Sequence, residues 1–536
     1  MAKKKVVKVK VPEVPEVDAS ILQFVPKGGF YNPTDMQMRK MEELWGDFFS
    51  FDRIIFALST ILPGTAYSKG RMAQMLLSNP IKQENALVKY GLYDDFEYKV
   101  MLYNLMKETP SRSLKNLLML AGIKDKKTKE IQLPRINNAR TRKLILEYIF
   151  ARPDASLDGL AVKFKQKLRK LIRHALGKQN LHNILKGDST LFKLHIGRYK
   201  PSAMQVMQFL FNVDTESLIV SEGFKKIALY EQLKVAAAAG NSDDFVKIAE
   251  EKQLPVEVLI GYKNQAKLDI DLKKIYEVGQ MSNRQKLQTE SAAKRTGAKT
   301  QVNYYTQDIY DLWKVLYHKL ISQETDDFDR VIDAITKKST EKAAVNFGET
   351  VVIFDCSYSM RGSVQRPMHP FYTGLSLVST LDNIKKVIYV GGSFMNTPSD
   401  KWPKLIMPRG GTKLWEALLQ AAEMHPETIL VITDGYENTV QGSFESVYQY
   451  LRDNGHTFKL VQINPVFAAE TSGARRIVST EPALPLTDHK FLETNFIFGL
   501  LKSHSEQIKT LLANKFKDIV LKEVNQQVRI EGIKSR

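Results

Sequence analysis

From about residue 35 to 340, apolar residues recur at spacings of three and four, with short breaks carrying Pro, Gly, Asp or Asn. Positions so spaced share one face of an α-helix, so the pattern predicts a long run of amphipathic helices. Clear cases are Met38 to Leu62, Phe96 to Met106, Ser113 to Ala121, Thr141 to Phe150, Phe224 to Ala238 and Ile309 to Ile321. No alternating strand pattern of any length interrupts them. Short helices with short links predict stacked helical hairpins, each burying its apolar face against the next. The stretch Met281 to Thr306 departs from this. It carries Arg284, Lys286, Lys294, Arg295 and Lys299 among small and polar residues, and reads as a long basic loop or a partly ordered arm.

After residue 350 the pattern changes. Short apolar runs (VVIFD from 351, KKVIYVGG from 385, TILVITDG from 428, FKLVQINP from 458) alternate with helix candidates at Tyr372 to Leu381, Lys413 to Glu423 and Phe444 to Asn454. Strands alternating with helices predict a parallel sheet covered on both faces, whose ligand site lies beyond the C-terminal ends of the strands. The expected fold is therefore multidomain. A flexible basic tail over 1–18 precedes an all-α, HEAT-like or armadillo-like repeat domain over 19–344. A Rossmann-like α/β domain follows over 345–500, and then a C-terminal helical segment over 501–536 that returns to the helical domain. Residues 337–349 read as the junction. No strict sequence period is visible, so the repeat is structural.

With 536 residues and 43% hydrophobic content, the chain has enough apolar material for more than one core. Its formal net charge of +19 points to an anionic partner. Cys356 is the single cysteine, which rules out an intramolecular disulfide and a cysteine zinc cluster. The N-terminus is basic without a continuous apolar core, and no apolar run approaches the ~18 residues of a spanning helix. The expectation is a cytoplasmic protein without a membrane partner.

Two groups of residues carry candidate chemistry. VVIFD runs into Cys356, Ser357, Tyr358 and Ser359; Gly410, Gly411 and Thr412 precede a helix; TILVITDG ends at Asp434. Asp355, Ser357, Ser359, Thr412 and Asp434 are hard oxygen donors on three loops at one sheet edge, a set suited to Mg²⁺ or another divalent cation. The plainer reading is that they cap helices and satisfy loop backbone. Cys356 reads as a small buried residue, since no base stands beside it.

The second group is a charge run. Between 161 and 200 lie Lys163, Lys165, Lys167, Arg169, Lys170, Arg173, Lys178, Lys186, Lys193, Arg198 and Lys200, with Asp188 the only acid. In KQKLRKLIRHALGK, Leu168, Leu171, Ile172, Ala175 and Leu176 share one helical face, while Lys167, Arg169, Lys170, Arg173 and His174 take the other. A solvated face normally mixes signs; this one suits a phosphate backbone. Arg140, Arg142 and Lys143 extend the patch, and Tyr199, Tyr304 and Tyr305 offer rings for stacking or packing. The spacings of His174, His182 and His195 exclude a metal cluster, leaving them as polar-face or RNA-contacting residues. No P-loop, His-Glu-x-x-His or nucleophile motif is present, so an enzyme is not expected.

The loop set resembles the metal-ion-dependent adhesion site (MIDAS) of von Willebrand factor A domains. That resemblance implies direct ligation by Ser357, Ser359 and Thr412, with Asp355 and Asp434 acting through water and a sixth position open to an acidic partner group. The whole arrangement resembles the Ro autoantigen family, a TROVE module followed by an A domain, of bacterial or phage type. The local matches are KQKLRKLIRHALGK, LFKLHIGRYKPSAMQ, LPVEVLIGYKN, VVIFDCSYSM, GGTKLWEAL and ITDGYEN. Membership would imply a helical ring closed by the A domain. It would also imply binding of small noncoding (Y) RNA on the outer basic surface and of single-stranded ends of structured or misfolded RNA through the central hole. The role implied is RNA quality control, with an exoribonuclease tethered through such an RNA. Matched positions put RNA contacts at Lys167, Arg169, Lys170 and Arg173, then Lys193, His195, Arg198 and Lys200. Two departures stand out: residues up to about 110 lack a clear family opening, and Cys356 and Tyr358 replace the small residues usual in the metal loop. The competing reading is a metal-dependent protein-interaction or co-chaperone factor working through the A domain on an acidic protein partner.

Overall fold

The computed structural model describes residue 22 and residues 35–518, except 80–88, 91, 93–95, 124–132, 215–217, 219–222, 252, 299–300, 341–346, 365, 398–403, 438–439, 467–474, 482, 496 and 499–503. The tail over 1–18 and residues 341–346 of the 337–349 junction lie outside the described residues.

The first part is helical throughout, and polar caps set its breaks. The 38–62 pattern divides at Asp52, whose extended backbone ends helix α1 (Asp35–Phe51). Its carboxylate accepts from the amides of Ile54 and Ile55 and so opens α2 (Arg53–Ser59). Asn138 caps α3 (Ala139–Phe150) in the same way through the Thr141 amide. Helix α4 (Asp154–Leu176) follows and stops at Gly177, where φ is +78°. Helices adjacent in the chain pack together, as Ala139–Phe150 does on α4, and one apolar core runs from Leu22 through Val278.

That core also takes in Ile497, Phe498, Ile508, Leu512, Ala513 and Phe516 near the end of the chain. The helix over 504–518 lies on the first helices: Phe498 meets Phe48 edge-on at 5.7 Å, and Lys509 pairs with Asp52. Glu506 accepts from Tyr90 at 2.6 Å and Lys89 at 3.0 Å. The described chain thus closes back onto its own start. Phe516→Ala should cost about 3–5 kcal/mol of local stability. Hydrogen exchange should then speed up in Asp35–Ser59; unchanged protection there would mean that the C-terminal helix is not part of this core.

The second part is a doubly wound α/β domain. Strands β1 (Thr350–Asp355), β2 (Ile384–Val390), β3 (Thr428–Ile432), β4 (Lys459–Asn464) and β5 (Ala483–Pro485) form a parallel sheet in the order β2-β1-β3-β4-β5. In register, Ile353 stands between Ile388 and Val431. β1 and β3 are buried along their whole length, which is why they read as continuous apolar runs rather than alternating ones. One face is covered by the helices Leu414–Ala422 and Ser443–Asp453.

The other face is covered by His369–Thr380, and against that helix pack two helices that the sequence pattern assigns to the helical domain, α6 (Ile309–Ile321) and α7 (Phe328–Ser339). Tyr317 donates to the Ile406 carbonyl at 2.7 Å and Trp313 to Ser379 at 3.0 Å. These two helices thus share a core with the α/β sheet, while residues up to Met281 share the first core. The expected loop Met281 to Thr306 is also corrected. It contains α5 (Asn283–Arg295), opened by a capping box between Ser282 and Gln285. Its apolar period is weak because little of it is buried, Ala293 fully and Leu287 in part; good helix formers and the cap carry it instead.

Candidate nucleic-acid interface and metal centre

The structure divides the expected cations into three groups. Several face inward or are already paired. Lys165 lies 3.9 Å over the Phe209 ring and 3.6 Å from Glu231, itself 2% exposed, and burial pulls its ammonium down to about 8. His174 is buried, with Nε2 2.8 Å from the Ile136 carbonyl. It is therefore not on the polar face, because the turn preceding α3 folds over that end of α4. Arg140 pairs with buried Glu97 at 3.1 Å, and Lys200 with Asp154 at 2.6 Å.

A second group runs along α4 towards the helix Ala203–Phe211: Lys167 lies 5.9 Å from the Phe164 ring and Arg169 5.8 Å from Phe211. Lys170 is half-buried on the same helix, and Arg173 is exposed near its end.

The third group converges. Exposed Arg142 is held by Asn137, whose Oδ1 accepts from its Nε at 2.9 Å. Exposed Lys143 lies 4.6 Å over Tyr98, and exposed Arg198 4.6 Å over Tyr199. Half-buried His195 is held below its ordinary range by burial, then by the charges of Arg198 and Arg142. Arg135 and Arg142 act on His174 in the same sense. Lys193 and His195 sit on a π-helical turn, Lys193–Gly197, packed against α3. Such turns are rare and frequently mark functional sites. Arg135 and Tyr98 were not singled out by sequence: Arg135 precedes the cap rather than lying in a charged helix, and Tyr98 comes from a helix about 40 residues upstream. Tyr304 is 1% exposed, a packing residue; Tyr305 is exposed.

At the sheet's C-terminal edge the loops after β1, β2 and β3 are bound together. The amide of Tyr358 donates to Gly410 O at 3.2 Å, that of Arg409 to Cys356 O at 2.9 Å, and that of Cys356 to Val390 O at 2.8 Å. A Cβ on Gly391, where φ is +73°, would lie 3.0 Å from Gly411 O and 3.3 Å from Ser357 Cα, so only glycine lets these loops approach. Asp355 accepts from the Ser357 amide at 2.8 Å and from the Thr433 hydroxyl at 2.7 Å. The hydroxyls of Ser357 and Ser359 are 3.0 Å apart, and Ser359 also bonds Asp434. Thr412 is buried just beyond Gly411.

Asp355 and Asp434 are both buried, and burial pushes each carboxyl up to about 6, with the charge of Asp434 adding to the rise at Asp355. Among the described residues no group of three or more His, Cys, Asp or Glu is placed to hold a metal. A divalent ion here would therefore rest on hydroxyls and two carboxylates. That donor set fits Mg²⁺: two buried like charges need a cation, and hydroxyl-rich ligation leaves it net positive. Arg475, missed by sequence, lies 3.6 Å over Tyr436 and draws Asp434 down after Ser359 does. Cys356 is fully buried and its thiol is raised by that burial, so it is not a nucleophile.

No helix among the described residues is long and apolar enough to cross a membrane. No protein-family model matches the chain, and no curated protein matches it. Among solved structures, it is similar to the crystal structure of the Deinococcus radiodurans Ro (RSR) protein, with a TM-score of 0.48 and 13% identity over 94% of this chain and 99% of that one.

Proposed function

We propose that this chain is the RNA-binding subunit of a ribonucleoprotein, a binding protein rather than an enzyme. The observation that carries this reading is the convergence of Arg135, Arg142, Lys143, His195 and Arg198 on one surface, over buried Tyr98 and half-buried Tyr199. Cations there meet phosphates, which gives affinity without sequence reading. The RNA class is small noncoding, Y-like RNA, together with structured or misfolded RNA carrying single-stranded ends, and the role is RNA quality control. An exoribonuclease joins through such an RNA. Mg²⁺ sits on Ser357, Ser359 and Thr412, with Asp355 and Asp434 holding it through water.

The test is direct. Nuclease-treated, purified protein is titrated with a hairpin transcript bearing a single-stranded 3′ tail and with the blunt hairpin. Tighter binding of the tailed RNA, with a steep loss as salt rises, supports the reading. Absence of binding to either at low ionic strength sinks it.

One observation favours a second, protein-directed role for the α/β domain. Tyr358 and Tyr436 are 64% and 43% exposed on the metal loops, each with an arginine stacked on it, Arg361 and Arg475. Exposed aromatic and arginine side chains are enriched at protein interfaces. An acidic protein partner at the ion's open position suits that rim.

A further inference from the structure

Away from both sites, a cavity of about 590 Å³ opens at the seam between the helices and the α/β domain. It is lined by the N-terminal ends of α5 and α6, the last turn of α7 and the turn His489–Phe491. The volume is that of a small-ligand site.

Most charges around it are already matched. Lys490 pairs with Asp308, which also faces His489 Nε2 at 3.7 Å, and Lys515 pairs with Glu493. Two groups are not. Gln307 is 4% exposed, and its Nε2 is buried without a hydrogen-bond acceptor. A buried unpaired amide is costly, so a ligand that brings an acceptor to it gains by relieving that cost. Asp311 has a side chain 23% exposed, and its ion pair with Arg284 spans 3.8 Å, beyond hydrogen-bond reach. Burial holds its carboxyl above the usual range, as expected of a carboxylate short of donors. The Arg284 side chain is 68% exposed.

A fitting ligand must therefore present an acceptor to Gln307, a pair of donors to Asp311 and an anion to Arg284. The Watson–Crick edge of guanine has this composition: N1–H and N2–H donate, and O6 accepts. Adenine offers its N1 lone pair to the carboxylate instead, which repels it. We propose that this cavity binds a guanine nucleotide, with Asp311 accepting from N1–H and N2–H, Gln307 donating to O6 and Arg284 meeting the phosphate. The same chemistry is offered by a free nucleotide and by a guanosine at an RNA end. The site does not depend on the basic RNA surface, so variants of that surface should leave it intact.

The experiment uses the full chain and a fluorescently labelled GMP, displaced by GMP, AMP, inorganic phosphate or a trinucleotide ending in guanosine. GMP should displace the probe at least about tenfold better than AMP, since a site built to hydrogen-bond one edge rejects another strongly. Asp311→Asn should erase that preference while keeping the side chain's size. Arg284→Ala, at an exposed position, should weaken GMP and phosphate alike and leave the GMP-to-AMP ratio unchanged. Displacement by the trinucleotide as well assigns the site to RNA ends; displacement by GMP but not the trinucleotide assigns it to the free nucleotide. No binding of labelled GMP, or equal displacement by GMP and AMP, overturns the proposal.

Discussion

Replacing Arg135, Arg142, Lys143 and Arg198 together by Ala should weaken binding of a tailed hairpin RNA at least about 100-fold near physiological salt. Each lost phosphate contact removes about 0.7–0.9 from the slope of log K against log salt, so the slope should flatten by about 3. A titration repeated from low to high KCl reads both quantities. The matched control is Lys165→Met. Lys165 is held between Phe209, Tyr230 and Glu231 inside the helical part, so its loss should change RNA affinity by no more than about twofold. It should instead lower stability, because Glu231 is left with Lys234 alone at 2.9 Å. If the control lowers affinity as much as the surface quadruple, the assignment of the interface is wrong. Protons add a second reading. His195 is kept neutral by burial and by Arg198 and Arg142, and a phosphate beside it would restore its proton. Affinity should therefore rise as pH falls from 7.5 to 6, and His195→Ala should remove that part of the pH dependence.

Mg²⁺ at pH 7.5 should raise the melting temperature by several degrees, with Asp355→Ala abolishing the shift. A ligand that binds only the folded state at a hundredfold excess over its Kd stabilises by about 2.7 kcal/mol. The sign of the pH dependence follows from the two carboxyls, raised from 3.8 to about 6 in the folded protein. A group whose folded pKa is raised contributes stability that is full below its unfolded pKa and is lost as pH rises through the folded one. Without metal, the protein should thus gain stability on acidification from pH 7.5 to 5 by these groups, on the order of a few kcal/mol for the pair. With metal, protons compete for the same oxygens, so the Mg²⁺ shift should shrink over that interval and vanish near pH 5. A shift that stays constant from pH 7.5 to 5 would place the ion elsewhere. Loss of the shift in Asp355→Ala with the melting of the metal-free variant retained would separate ligation from folding.

Local sequence signals were enough to place most elements and the loops of the candidate metal centre. Continuous apolar runs at Val351–Phe354 and Thr428–Ile432 mark strands buried on both faces, and alternation with helices dictates a parallel sheet. Because the ends of parallel strands adjoin, Asp355, Ser357 and Asp434 could be placed at one edge from order alone. Caps such as Asn138 and Ser282 act within a few residues of chain, so the signals that open helices are local too. What failed at this level was the judgement that α5 is a loop: an exposed helix leaves no apolar period to read.

Which charges are available, and which helices share a core, follows from long-range packing instead. Lys165 and Arg169 are four residues apart in one basic run, yet Lys165 lies against Glu231, a residue over 60 positions away. His174 sits at a polar position of an ideal amphipathic wheel, but the turn before α3 covers it. Helices α6 and α7 carry an apolar stripe with no label for its partner, and they pack against the helix His369–Thr380 in the core of the α/β domain. The closing contact of the 504–518 helix on α1 and α2 joins residues more than 400 positions apart. Burial and pairing are set by these non-local contacts, whereas periodicity and capping are written in neighbours along the chain.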